Sequence, residues 1–174
     1  MFNFFKKKSP AEGENNSRTE TRHADYHTAP GTEIRYSPTL IDELKNDHQQ
    51  LLGLYMSIKA AFDKGDYASV SEQLNEFRFG LHSHLLTENV RLYIYVSRMM
   101  EQDEANYSTI RSFRQEMEGV GKTALRLLKK YEAININKEL APPFAEDFAA
   151  IGSILTERIK KEESILYPLY SVTH

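Results

Sequence analysis

His84 and Glu88 stand four residues apart, inside the longest run of helix-forming residues in the chain. Val70, Leu74, Phe77 and Leu81 precede them, and Leu92, Tyr95 and Met99 follow, at steps of three and four. That recurrence is the inward stripe of an amphipathic helix, so the imidazole and the carboxylate share one buried face, one turn apart. Burying either group unpaired is costly, so a metal ion or other polar side chains must satisfy them. His48 interrupts a second apolar seam between Leu44 and Leu51, and Arg158 and Glu162 interrupt another between Leu155 and Ile165.

Four helices must position these groups. The first starts at Ser37-Pro38, where proline is tolerated in the first turn, and runs to about Asp63. Its inward residues are Ile41, Leu44, His48, Leu51, Tyr55, Ile58 and Phe62. The second runs from Tyr67 to Met100. The third runs from Asn106 to Ala133, with the seam Ile110, Phe113, Met117, Val120, Ala124, Leu127 and Tyr131. Residues 134–143, with two prolines, read as a loop. The fourth helix runs from Phe144 to Tyr167, with the seam Phe148, Ile151, Leu155, Arg158, Glu162, Ile165 and Leu169. Short connections between amphipathic helices predict an all-α, up-down-up-down antiparallel four-helix bundle over residues 37–172. The composition of residues 1–36, poor in aliphatic side chains, predicts a disordered N-terminal tail, with Ile34-Arg35-Tyr36 as a strap against the domain. The polar interruptions fall near the helix middles, so His48, His84, Glu88, Arg158 and Glu162 are expected in one core layer, with Met117 as the third helix's contribution.

Composition narrows the function. The chain has 174 residues with a net charge of −3, from 22 basic and 25 acidic side chains. That balance argues against nucleic acid as partner. There is no cysteine, which excludes disulfides and thiolate chemistry and suits the cytoplasm. No apolar run reaches the length of a membrane span. The opening Met1-Phe2-Asn3-Phe4-Phe5-Lys6-Lys7-Lys8 has the wrong charge order for a secretory signal, and its one functional reading is contact with an anionic membrane surface or a partner. His23 and His27 read as solvated. Tyr93, Tyr95, Tyr167 and Tyr170 read as packing. No nucleophile–base arrangement or phosphate loop is found. Gly119-Val120-Gly121 lacks the preceding strand of a dinucleotide fingerprint, so no catalytic activity is expected.

Three segments together resemble the hemerythrin-like (HHE cation-binding) domains. They are Leu44-Lys45-Asn46-Asp47-His48-Gln49-Gln50-Leu51-Leu52, then His84-xxx-Glu88 followed by Leu92-Tyr93, and Arg158 through Pro168 with its Leu166-Tyr167-Pro168 ending. The resemblance spans residues 37–170 and implies a di-iron or related centre in the bundle core. It implies His48, His84, Glu88 and Glu162 as metal ligands. Two departures leave that set short of a di-iron complement: Arg158 stands where the family has a histidine, and the third helix has none. One or two iron ions, or none, are expected, and ligand type admits zinc or manganese equally. A looser resemblance, through Ile151-Gly152, Leu155, Arg158-Ile159 and Glu162, is to regulator-of-sigma-D anti-sigma proteins. It implies a metal-free bundle that binds a protein partner, with Arg158 paired to Glu88 and Glu162. The first expectation is a non-catalytic metal-binding domain in metal, oxygen or redox sensing; the alternative is the metal-free regulator.

Overall fold

The computed structural model describes residues 27–171; residues 1–26, with the Phe/Lys cluster, His23 and most of the expected tail, lie outside the described residues. Four helices form the body. Helix α1 is Leu40–Asp63. Helix α2 comprises Tyr67–Thr87, a π-helical turn Glu88–Tyr93 and a last segment Ile94–Met99. Helix α3 is Glu104–Tyr131. Helix α4 comprises Ala141–Lys161, a π-helical turn Glu162–Leu166 and Tyr167–Ser171.

The helix ends follow from local chemistry. Gly65, at φ +71°, supplies the left-handed turn after α1. Asp66 and Asp103 cap α2 and α3, accepting the backbone N–H of Ser69 and of Asn106, each at 3.1 Å. Pro142 and Pro143 lie in the first turn of α4 rather than in a loop, because that turn needs no backbone donors there. The connections turn each helix back on the last. His48 meets His84 while Glu43, nearer the start of α1, meets Arg91, further along α2. Phe113 and Tyr131 of α3 likewise meet Arg158 and Asp147 of α4 in reverse order. Ser71, early in α2, meets Glu132 just after α3, and Leu85, later in α2, meets Gly121 further back in α3, so all three successive pairs are antiparallel and the bundle is up-down-up-down.

Two apolar clusters fill the core at opposite ends. One gathers Leu51, Ile58, Leu74, Phe77, Leu128 and Phe148 among others. The other gathers Leu40, Leu44, Leu92, Tyr95, Ile110 and Leu166. Between them His48, His84, Glu88, Arg158 and Glu162 are all buried, the expected polar layer, with Met117 buried on α3.

The seams depart from a strict 3.6-residue period in three places. On α3 the buried positions are Gly121 and Leu128, whereas Val120 and Leu127 are only half-buried. A Cβ on Gly121 would stand 2.9 Å from Leu85 Cδ1, so glycine lets α2 and α3 close here. On α4 Ile165 is 45% exposed while Leu166 and Tyr170 are buried, since the π turn inserts an extra residue and rotates the following face. The π turn of α2 brings Tyr93 and Val96 inside in the same way. The folded part also begins before residue 37. Residues 27–36 form a strap in which Ala29 N–H donates to Ile34 O and Tyr36 N–H to His27 O. Tyr36 stacks on Tyr170, whose hydroxyl accepts from Ser37 N–H at 2.7 Å.

Candidate metal centre

The layer is built from three helices. His48 is presented by α1, His84 and Glu88 by α2, and Arg158 and Glu162 by α4. One ligand atom from each of His48, His84, Glu88 and Glu162 lies within 4.8 Å of the others. The two histidine Nε2 atoms are 3.2 Å apart. His48 Nε2 stands 3.3 Å from Glu162 Oε2, and His84 Nε2 stands 3.8 Å from Glu88 Oε2.

The outer nitrogens explain why these atoms face one another. His48 Nδ1 lies 2.9 Å from the half-exposed Glu163 carboxylate. His84 Nδ1 lies 3.5 Å from Asp47 Oδ2, a contact too long for a well-formed hydrogen bond. A carboxylate beyond each Nδ1 favours the proton there, which turns the lone pair of each Nε2 inward. Two imidazole lone pairs and two carboxylate oxygens then converge, with the Tyr167 hydroxyl as a nearby donor. Tyr167 OH donates to Glu88 Oε1 at 3.0 Å and lies 3.2 Å from His48 Nε2. Glu88 Oε2 has no hydrogen-bond partner among the described residues although Glu88 is fully buried. A convergence of acceptors around an orphaned carboxylate oxygen is what a cation would satisfy.

Protonation follows from the same geometry. Burial, reinforced by Glu162, holds the Glu88 carboxyl well above the usual carboxylate range. For His48 burial pulls downward, but the Glu162 and Glu163 carboxylates together outweigh it and raise the imidazole. Burial and then the His48 charge hold His84 below its ordinary value. Burial pushes the Tyr93 and Tyr167 phenols far up, so both stay protonated as donors.

Arg158 makes a second, separate arrangement. Its Nε donates to Glu162 Oε1 at 2.6 Å and one terminal nitrogen donates to Tyr93 OH at 2.7 Å and to the Phe113 carbonyl at 3.2 Å. The guanidinium lies 4.6 Å over the Phe113 ring. The expected pairing with Glu88 is not formed; Glu88 instead takes Tyr167. The two oxygens of Glu162 therefore divide, one toward Arg158 and one toward His48.

Sequence reading brought the four candidate ligands and Arg158 together but missed Asp47, Glu163, Tyr93 and Tyr167. The acids adjoin ligands in the chain, which is a usable signal. The tyrosines had a clearer one. His84-xxx-Glu88-xxx-Leu92-Tyr93 and Arg158-xxx-Glu162-xxx-Leu166-Tyr167 share one spacing, and each π turn begins at its glutamate. The two halves cross: Tyr93 serves Arg158, and Tyr167 serves Glu88.

Beside the layer is a small apolar cavity of about 20 Å³, bounded by Leu51, Phe77, Leu81, Met117 and Leu155 together with His48, His84 and Glu162. It holds about one water-sized molecule.

Comparison with known proteins places this arrangement. A family model described as the hemerythrin HHE cation binding domain matches residues 39–170. The chain belongs to that family, and its buried His/Glu cluster fits a metal-binding domain. Comparison with curated proteins and with solved structures gave no match. Among the described residues no helix is long and apolar enough to cross a membrane.

Proposed function

We propose that this chain is a non-catalytic binding domain that holds one divalent metal ion, iron in the cell, through His48, His84, Glu88 and Glu162. The observation that carries the reading is the orphaned Glu88 Oε2 facing His84, where one ligand atom from each of four buried side chains converges. Two imidazoles and two carboxylates suit iron, zinc and manganese by ligand type. The residues fit one ion and not two. Arg158 cannot be deprotonated to ligate, and its charge already neutralises one face of Glu162. The remaining buried negative charge, with the Asp47 and Glu163 carboxylates behind the histidines, favours a single dication. Bound iron would supply a redox-active Lewis acid. The chain's own groups orient it: Glu163 and Asp47 hold the imidazole tautomers, Tyr167 positions Glu88, and the apolar walls keep bulk water out. Room for one small molecule beside the histidines supports a role in metal, oxygen or redox sensing from inside the cell.

The test is equilibrium binding of Fe(II) under anaerobic conditions, and of Zn(II), to chain stripped with a chelator. Wild type is expected to bind one ion, and His84→Ala none. Arg158→His, which removes a fixed charge and adds an imidazole, is expected to raise the capacity above one.

One observation favours the second reading, a metal-free regulator acting through protein contacts. The Arg158–Glu162 bridge at 2.6 Å, completed by Tyr93 and the Phe113 carbonyl, is a self-sufficient buried ion pair. A wild type that takes up neither metal would leave that reading.

A further inference from the structure

The outer seam between α2 and α3 carries a charge opposite to that of the whole chain. Two surface grooves lie along it and a third lies on the surface of α3 beside Leu125 and Arg126, lined in all by seven arginines and lysines against two glutamates. The chain as a whole has a net charge of −3. Both glutamates have partners already: Glu118 with Lys122 at 2.6 Å, and Glu101 with Arg98 at 4.0 Å. Among the described residues no carboxylate stands within ion-pair distance of Arg78, Arg111, Arg114, Arg126 or Lys129. Arg78 Nε is moreover buried without an acceptor.

Apolar groups run between these cations. Phe79 is 60% exposed and lines one groove opposite Leu125, and Ile94 lines another. Leu86 and Val90, both exposed, continue at steps of four from His82 toward Ile94. Exposed large apolar groups rimmed by unpaired cations mark an interaction surface.

We propose that this seam docks an acidic amphipathic helix of a partner protein. From Arg78 in one groove to Arg98 in another, the α2 bank of the seam runs about 30 Å at the helical rise, the length of a helix of about twenty residues. Apolar groups in a concave seam between two helices, with cations on both banks, make the helix-in-groove arrangement, and the charge selects acidic flanks. A nucleic acid would match the cations but would leave Phe79, Leu125 and Ile94 without apolar partners. The inference does not depend on the metal reading.

The probe is a synthetic twenty-residue helical peptide with leucine at i, i+3, i+4 and i+7 and glutamate elsewhere, titrated into the isotope-labelled full chain. The comparisons are the same peptide with lysine for glutamate, a single-stranded DNA oligonucleotide, and phosphatidylserine vesicles. The acidic peptide is expected to shift amide resonances of α2 and α3 around Phe79 and Arg126, and the lysine peptide is not. Phe79→Ala and Arg126→Glu should each weaken binding by about tenfold with the unfolding midpoint unchanged, since both side chains are exposed. Absence of binding by the acidic peptide would overturn the proposal. So would equal binding of the lysine peptide, tighter binding of DNA or vesicles, shifts confined to α1 and α4, or variants that bind as wild type does.

Discussion

Arg158 reaches Glu162 at 2.6 Å but makes no hydrogen bond to Glu88, so the two buried carboxylates do different work. Removing the charge of Glu162 leaves a buried guanidinium short of its counter-ion, and Glu162→Gln should lower stability by about 3–5 kcal/mol. Glu88 carries a raised pKa and is neutral in the metal-free chain over much of the acid range. Glu88→Gln, an isostere of that neutral form which still accepts from Tyr167, should cost much less than Glu162→Gln, yet sharply weaken metal affinity. Denaturant unfolding of both variants, with and without Zn(II), checks the pair. A larger loss for Glu88→Gln in the metal-free chain would mean that Arg158 depends on Glu88 after all. The sequence alone placed both acids in one layer but could not say which one the arginine takes. Arg158 takes the glutamate one turn along its own helix, while Glu88, across the bundle, takes Tyr167.

The π turns mark the limit of what periodicity can reveal at the scale of the element. The four helices and the five polar interruptions were legible because a stripe at steps of three and four needs no knowledge of the partner. The faces beyond Glu88 and Glu162 were not. A rule with a fixed period sends Ile165 and Leu169 inward, whereas the extra residue of the π turn turns Leu166, Tyr167 and Tyr170 in. Tyr93 and Tyr167 therefore read as packing, although both serve the polar layer. Of the strap, Ile34-Arg35-Tyr36 was legible but residues 27–33 were hidden for another reason: they are held by backbone hydrogen bonds to Ile34 and Tyr36, which packs on Tyr170, and not by local composition. Helix packing holds a further test. A Cβ on Gly152 of α4 would stand 2.3 Å from the Tyr55 ring of α1. Gly152→Ala should thus destabilise by about 1–3 kcal/mol through overpacking. Combining it with Tyr55→Ala, which empties the space, should recover most of that cost in a double-mutant cycle. Additive losses would show that the ring is not what the glycine accommodates.

For the whole molecule, stability and metal binding are joined through protons. The fold raises the pKa of Glu88 and of His48, so each contributes stability that is complete below its unfolded value and is lost as pH rises through the folded value. His84, held low, acts in the opposite sense, but only as pH falls below the ordinary histidine range. Above about pH 6.5 the losses at Glu88 and His48 act alone. The metal-free chain should therefore have a urea midpoint that falls from about pH 6.5 to pH 8. A bound dication needs those same groups deprotonated, so with saturating Zn(II) the midpoint should rise over the same interval. Parallel pH profiles with and without metal would separate the buried layer from the ion. The most direct measurement is elemental analysis of the chain purified without an affinity tag, expressed as metal per chain. One ion per chain, lost in His84→Ala, is the result predicted for two histidines, two glutamates and an arginine in the second position. Two ions per chain, or none after refolding with iron or zinc, would contradict it.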